Sequence, residues 1–232
     1  MRHSAAGDFQ DFGSRARRQP ILHLGANRGG CSTVPGLAER IRDRSVHPVI
    51  ATDSRRTSSV SVTRGIDAAL GAWYDVEAQF NSVCIGLIVE PGPAIAAVAR
   101  ILIQGCYGGA LPGAIALVGY DAELLATCLE LAVQSGRQVG NGANETVCRI
   151  TPAQLIEWPP MMIFLPSDDP ALADCARTCR KMRAAGIAIR LDVVGAVRNR
   201  PRSDVEAVTF ELAEELENFF DTYLTPHFPK LL

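Results

Sequence analysis

The stretch Ile21-Leu22-His23-Leu24-Gly25-Ala26-Asn27-Arg28-Gly29-Gly30-Cys31 reads as a short apolar strand running straight into a glycine-rich turn. Leu37, Ala38 and Ile41 then lie on a helical stretch, and Val49 to Thr52 forms a second apolar strand. Strand, tight turn, helix and strand in that order make a βαβ unit, which requires parallel pairing and a right-handed crossover.

Working outward, the same rhythm recurs. Ser54 to Arg64 is rich in Ser, Thr and Arg and suits an exposed loop or a polar edge strand. Val83 to Val89 is a continuous apolar run stopped by Pro91, Gly92 and Pro93, as expected of a strand buried on both faces. Ala94 to Gln104 reads as a helix, the glycines and proline of Gly105 to Gly113 as a loop, and Ala114 to Val118 as a strand. Asp121 to Ser135 carries a stripe of Leu124, Leu125, Leu129 and Ala132, with Gly136 placed to cap it. Met161 to Leu165 is a strand, Pro170 to Ala185 a helix ended by Gly186, and Ile187 to Val194 a strand. Ser203-Asp204 is placed to cap a last helix, Asp204 to Tyr223, with Val208, Leu212, Leu216 and Phe219 on one face. The expected fold class is α/β: a doubly wound, mainly parallel sheet with helices on both faces, a Rossmann-like three-layer sandwich. Residues 1–19 are expected to be a disordered or extended leader, and 20–232 a single domain.

Composition bounds the function. The hydrophobic fraction of 47% and charged fraction of 21% are those of a globular chain. A formal net charge of -2 gives no global pull toward a polyanion, so nucleic acid would need a local basic patch. Seven cysteines, an odd number without paired spacing, favour the cytoplasm or another reducing compartment, with organelle import left open. No stretch approaches the roughly 20 apolar residues of a membrane span, and the N-terminus lacks the apolar core of a secretory signal.

The chemistry-bearing feature is the first turn. Glycines after a strand let the backbone approach a pyrophosphate, which the amino end of the next helix can hold through its free N–H groups. Gly25, Asn27, Gly29 and Gly30 are the candidate cofactor-binding residues there. Asp53 stands at the end of the next strand, where a carboxylate accepts hydrogen bonds from a ribose, and Arg55 could instead meet a 2′-phosphate.

Over residues 21–56 this wording resembles the short-chain dehydrogenase/reductase family, whose first turn commonly reads Thr-Gly-Ala-Asn-Arg-Gly-Ile-Gly; Gly25 to Gly29 match it. The resemblance implies a Rossmann domain that binds a dinucleotide, NAD or NADP. Leu24 stands for the family's threonine and Cys31 for its third glycine. The family's catalytic Tyr-x-x-x-Lys pair would begin at Tyr120, the one catalytic candidate, but Leu124 occupies the lysine position and Tyr107 the earlier serine position. Without the cation, a tyrosine stays near its ordinary pKa of about 10 and is a poor acid–base group at neutral pH. The functional expectation is therefore NAD(P)-type nucleotide binding without reductase catalysis.

Residues 161–194 resemble the anticodon-binding domain of class IIa aminoacyl-tRNA synthetases through Met182-Arg183-Ala184-Ala185-Gly186-Ile187 and the strand after it. The loss of catalytic signatures, the basic residues from Arg177 to Arg202 and the acidic, aromatic-ended tail from Glu211 to Tyr223 motivate the alternative of a non-catalytic accessory subunit that binds a protein or RNA partner, or a second copy of itself. Other sites are thinner. Asp168 and Asp169 suit either a magnesium site or a helix N-cap, and Cys175 and Cys179 either a shared metal or core packing. No metal site is expected. There is no P-loop, no His-Glu-x-x-His and no Gly-x-Ser-x-Gly in the sequence.

Overall fold

In the computed structural model, which describes residues 19–25, 37–51, 62–80, 84–90, 92–106, 109–137, 158–195 and 202–224, the apolar runs are strands of one sheet. β1 (Ile21–Leu24), β3 (Gly86–Val89), β4 (Ala114–Val118) and β5 (Met161–Pro166) are apolar at nearly every position because helices cover both faces of the sheet. β2 (Val49–Ala51) and β6 (Ile189–Val194) form the edges and are less buried. The helices are α1 (Leu37–Arg44), α2 (Val62–Phe80), α3 (Pro93–Cys106), α4 (Ala122–Arg137), α5 (Leu172–Ala184) and α6 (Arg202–Leu224).

All five strand pairs are parallel, and the order is β2-β1-β3-β4-β5-β6. Successive side chains in a strand face opposite sides, so each strand feeds two cores. Leu22, Leu24, Leu87, Val89, Ile115, Leu117, Ile163 and Leu165 pack with Trp73 and Val76 of α2, Val98 and Ile101 of α3, Leu125 of α4 and Met182 of α5. Ile21, Ile88, Ala114, Ala116 and Phe164 face the other way, against Leu37 and Ile41 of α1 and Leu212, Leu216, Phe219 and Phe220 of α6. The close seat of α6 depends on small residues beneath it, since a Cβ at Gly86 would lie 2.8 Å from both Phe220 and Leu224.

The parallel three-layer α/β architecture is as expected, but its winding is not Rossmann. In the Rossmann order 3-2-1-4-5-6 the chain adds two strands outward before crossing back; here β3 already lies beside β1. Three local expectations also differ. α2 begins at Val62, inside the expected polar segment Ser54 to Arg64, and runs on to Phe80 where no element was expected; α4 runs through Gly136 to Arg137, and α6 starts at Arg202, ahead of the Ser203-Asp204 cap. Gly186 does end its helix: at φ +88° it lets its N–H reach the Arg183 carbonyl and that of Ile187 the Met182 carbonyl. Residues 1–18 of the expected leader lie outside the described residues. Among the described residues no helix is long and apolar enough to cross a membrane.

Candidate functional site

A doubly wound sheet opens a crevice where its winding reverses, because the loops leaving the two adjacent strands turn to opposite faces. Here that point lies between the carboxyl ends of β1 and β3. His23 is the third residue of β1 and Glu90 follows the last residue of β3. The Glu90 N–H donates to the Leu24 carbonyl at 3.0 Å, adding a rung to the β1–β3 ladder. Strand alternation puts His23 and Glu90 on the side of α1 and α6, and the His23 Nε2 lies 3.0 Å from Glu90 Oε1. Their side chains are only 6% and 5% exposed.

The pair is incompletely satisfied. Glu90 Oε2 is buried without a hydrogen-bond partner among the described residues. A buried polar atom left unpaired costs about 1–3 kcal/mol, and more when charged, so such groups concentrate where a ligand or a reaction uses them. The link from β3 to α3 is the tripeptide Glu90-Pro91-Gly92. Gly92 has φ +137°, a conformation that L side chains rarely adopt, and its carbonyl accepts from the Ile95 N–H at 3.0 Å. Pro93 then starts the helix, where its missing N–H costs nothing. The positive end of the α3 dipole is thereby fixed at the carboxyl edge, beside Glu90.

Of the candidate cofactor residues, Gly25 is the first residue after β1, and a Cβ there would make ordinary contact with the His23 ring at 3.8 Å. Asn27, Gly29, Gly30, Asp53 and Arg55 lie outside the described residues. Tyr120 sits after Gly119 (φ +133°) in the β4–α4 turn. Its hydroxyl donates to Asp174 Oδ2 at 2.6 Å, with Thr178 Oγ1 at 3.4 Å. Partial burial and the Asp174 bond raise its pKa, so it is held as a neutral phenol tying α5 to β4. Asp121 accepts from the Leu124 N–H at 2.8 Å and caps α4.

Asp169 accepts from the Ala171 N–H at 2.8 Å in the turn ahead of α5, a local turn-forming role. The Cys175 and Cys179 sulfurs are 4.0 Å apart inside the core, and their mutual bond together with burial pushes the Cys175 thiol up. Among the described residues no three His, Cys, Asp or Glu side chains converge as a metal site. The basic stretch is partly neutralised from within: Arg177 pairs with Asp174, Arg190 with Asp192 and Glu215, and Arg183 Nε donates to the Ile189 carbonyl.

No protein-family model and no curated protein matches the sequence. Solved structures do match in fold. A hormone-sensitive lipase from a metagenome library aligns with 16% identity and a TM-score of 0.54, over 87% of this chain and 78% of its own. The iron-lacking apo form of ESTFA aligns with 14% identity and a TM-score of 0.56, over 89% and 77%. Thermogutta terrifontis esterase 2, phosphorylated by paraoxon, aligns with 16% identity and a TM-score of 0.53, over 90% and 85%.

These neighbours have the α/β-hydrolase fold, and they correct the sequence reading. The chain resembles neither the short-chain reductases nor the synthetase anticodon-binding domains in three dimensions, and the expectation of a non-catalytic NAD(P)-binding domain or accessory subunit gives way to a hydrolase-type architecture. The misleading signal was local, because a short glycine-rich wording after an apolar strand is a weak family mark.

In this fold a nucleophilic serine is normally carried on a sharp strand-to-helix turn, followed in the chain by an acid and then a histidine. The turn beside the switch point reads Glu90-Pro91-Gly92-Pro93, without a serine. Of the four histidines only His227 follows Asp168 and Asp169, and it lies outside the described residues. Sequence reading missed His23 and Glu90; the available signal was a carboxylate closing an apolar strand that the fold buries.

Proposed function

We propose that the chain hydrolyses a small carboxylic ester in the crevice between the carboxyl ends of β1 and β3, by direct attack of water rather than through a seryl intermediate. Glu90 is the general base and His23 its positioning residue. The observation that carries this reading is the buried Glu90–His23 pair, whose Glu90 Oε2 has no partner among the described residues, located at the point where a doubly wound sheet gathers its ligand chemistry. The esterase fold of the structural neighbours supports the substrate class.

The chemistry balances with the chain's own residues. His23 Nε2–H donates to Oε1 and fixes the carboxylate plane, leaving Oε2 to accept a proton from water. The water oxygen adds to the ester carbonyl. Negative charge then grows on the carbonyl oxygen, which the amino end of α3 stabilises through its dipole and first-turn N–H groups. When the tetrahedral species collapses, the proton on Glu90 passes to the departing alkoxide, giving an alcohol and a carboxylic acid.

Hydrolysis of p-nitrophenyl acetate and butyrate tests the reading. Glu90→Gln keeps the shape of the side chain and removes the base, so kcat is expected to fall about 10²- to 10⁴-fold. Treatment with phenylmethylsulfonyl fluoride is expected to leave both the rate and the protein mass unchanged. Full activity in Glu90→Gln, or a sulfonyl adduct on a serine accompanied by loss of activity, overturns it.

A further inference from the structure

Cys175, Cys179 and Arg183 follow one another at every fourth residue of α5, so they stand on consecutive turns along one side of the helix. Both thiols are buried in the core on the side of the sheet opposite His23 and Glu90. Their sulfurs are 4.0 Å apart. Met182, the third buried residue of this helix, adds a thioether to the same inward face. We propose that Cys175 and Cys179 bind one cuprous ion, Cu(I), as a two-coordinate dithiolate.

The geometry favours a bridging ion over a disulfide. A disulfide needs sulfurs about 2.05 Å apart and Cβ atoms about 3.5–4.5 Å apart. Helix neighbours at i and i+4 hold their Cβ atoms about 5–6 Å apart, so bonding these two sulfurs to each other would distort the turn between them. Two thiolate–metal bonds of about 2.3 Å each span up to about 4.6 Å, which accommodates the observed sulfur separation with the helix intact. Zinc closes four positions in a structural site, and among the described residues no third His, Cys, Asp or Glu converges here. Soft sulfur donors in an apolar core instead select a soft monovalent ion that needs only two of them.

The charges also balance. On loading, each thiol loses its proton to solvent and each sulfur forms one bond to Cu(I), so nothing is oxidised or reduced and the buried group carries one negative charge. Arg183 supplies a positive charge one turn beyond Cys179, held through its Nε to the Ile189 carbonyl at 2.8 Å. Cys175 is the fourth residue of α5, so opening of the first turn alone admits an ion, and Asp169 and Asp174 place negative charge at that end. Because two protons leave as the ion enters, affinity rises with pH.

The full chain, reduced and kept free of oxygen, is titrated with Cu(I) against the chelator bathocuproine disulfonate. The wild type is expected to retain one equivalent, bound to sulfur alone by X-ray absorption and held more tightly at pH 8 than at pH 6. Cys175→Ala and Cys179→Ala are each expected to weaken retention at least about a hundredfold, more than the loss of a supporting partner costs. Cys106→Ser, at a half-buried thiol outside the pair, is expected to leave it unchanged. Should either alanine variant fail to fold by circular dichroism, Cys175→Val or Cys179→Val, which fills the vacated space, takes its place. Copper that the wild type surrenders to the chelator, copper bound through nitrogen or oxygen, or equal retention by the folded variants overturns the proposal.

Discussion

Adding one methyl group at Gly86 puts the packing of α6 to a quantitative test. The ideal Cβ would lie 2.8 Å from Leu224 Cδ1, 2.8 Å from Phe220 Cε1 and 2.9 Å from Phe220 Cδ1. Carbon atoms in contact settle near 3.5–4.0 Å, so about 0.7–1.2 Å must be recovered by moving a ring and a leucine that are themselves buried. Overpacking of this kind costs about 1–3 kcal/mol. Replacing glycine where the backbone is ordinary extended strand returns about 0.4–1 kcal/mol through the unfolded chain. Gly86→Ala is therefore expected to lower unfolding stability by about 1–2 kcal/mol, read from urea midpoints at an unchanged m-value. Leu224→Ala on its own is destabilising, but combined with Gly86→Ala it relieves part of the clash, so the double variant is expected to be more stable than the two single effects predict. A neutral or stabilising Gly86→Ala, or strict additivity with Leu224→Ala, would refute the close seat of α6 on β3.

His47 joins three distant segments, with Nδ1 2.9 Å from the Gln19 carbonyl and Nε2 3.1 Å from Asp221 Oδ1, and His47→Ala is expected to cost about 2–3 kcal/mol in chemical denaturation. Because partial burial and the Asp174 bond raise the Tyr120 pKa, spectrophotometric titration is expected to show a tyrosine ionising later than the ordinary value of 10.0, a component absent from Tyr120→Phe. The sign follows from the raised value: the contribution to stability is whole below pH 10 and is lost as the pH rises through the folded-state pKa. Burial pushes the Cys128 thiol up to about 12, so Ellman's reagent at pH near 8 is expected to spare it in the native protein and to reach it in denaturant.

The strands were legible because burial on both faces leaves continuous apolar runs such as Ala114 to Val118, which no amphipathic helix shows. Gly186 was legible as a helix stop because a left-handed residue there demands it. α2 was hidden by the polar run from Ser54 to Arg64 and by Gly65 and Gly71, although Ile66, Ala69, Leu70, Trp73 and Val76 recur at helical spacing. Strand order was not legible: whether β3 settles beside β1 or beyond β2 is decided by contacts between distant segments, and both orders share the same local pattern. The same holds for His23 and Glu90, 67 residues apart, whose meeting follows from that order. The glycine-rich stretch was wrongly read as a family mark, because a short glycine wording after an apolar strand is common to many unrelated chains; beyond Gly25 it lies outside the described residues.

The arrangement of the two cores has a consequence for how the chain is made. The face lined by Ile21, Ile88, Ala116 and Phe164 is roofed by α1 and α6, and α6 spans residues 202–224, downstream of every strand in the sheet. A ribosome adding about 5–20 residues per second delivers the whole apolar floor, together with α1, before the longer helix of its roof exists. During that interval the part of the face that α6 covers stays exposed, a surface suited to chaperone capture and prone to clump with its like. Chains interrupted ahead of residue 202 would carry that bare face permanently, so their fate is set by quality control rather than by any loss at the crevice.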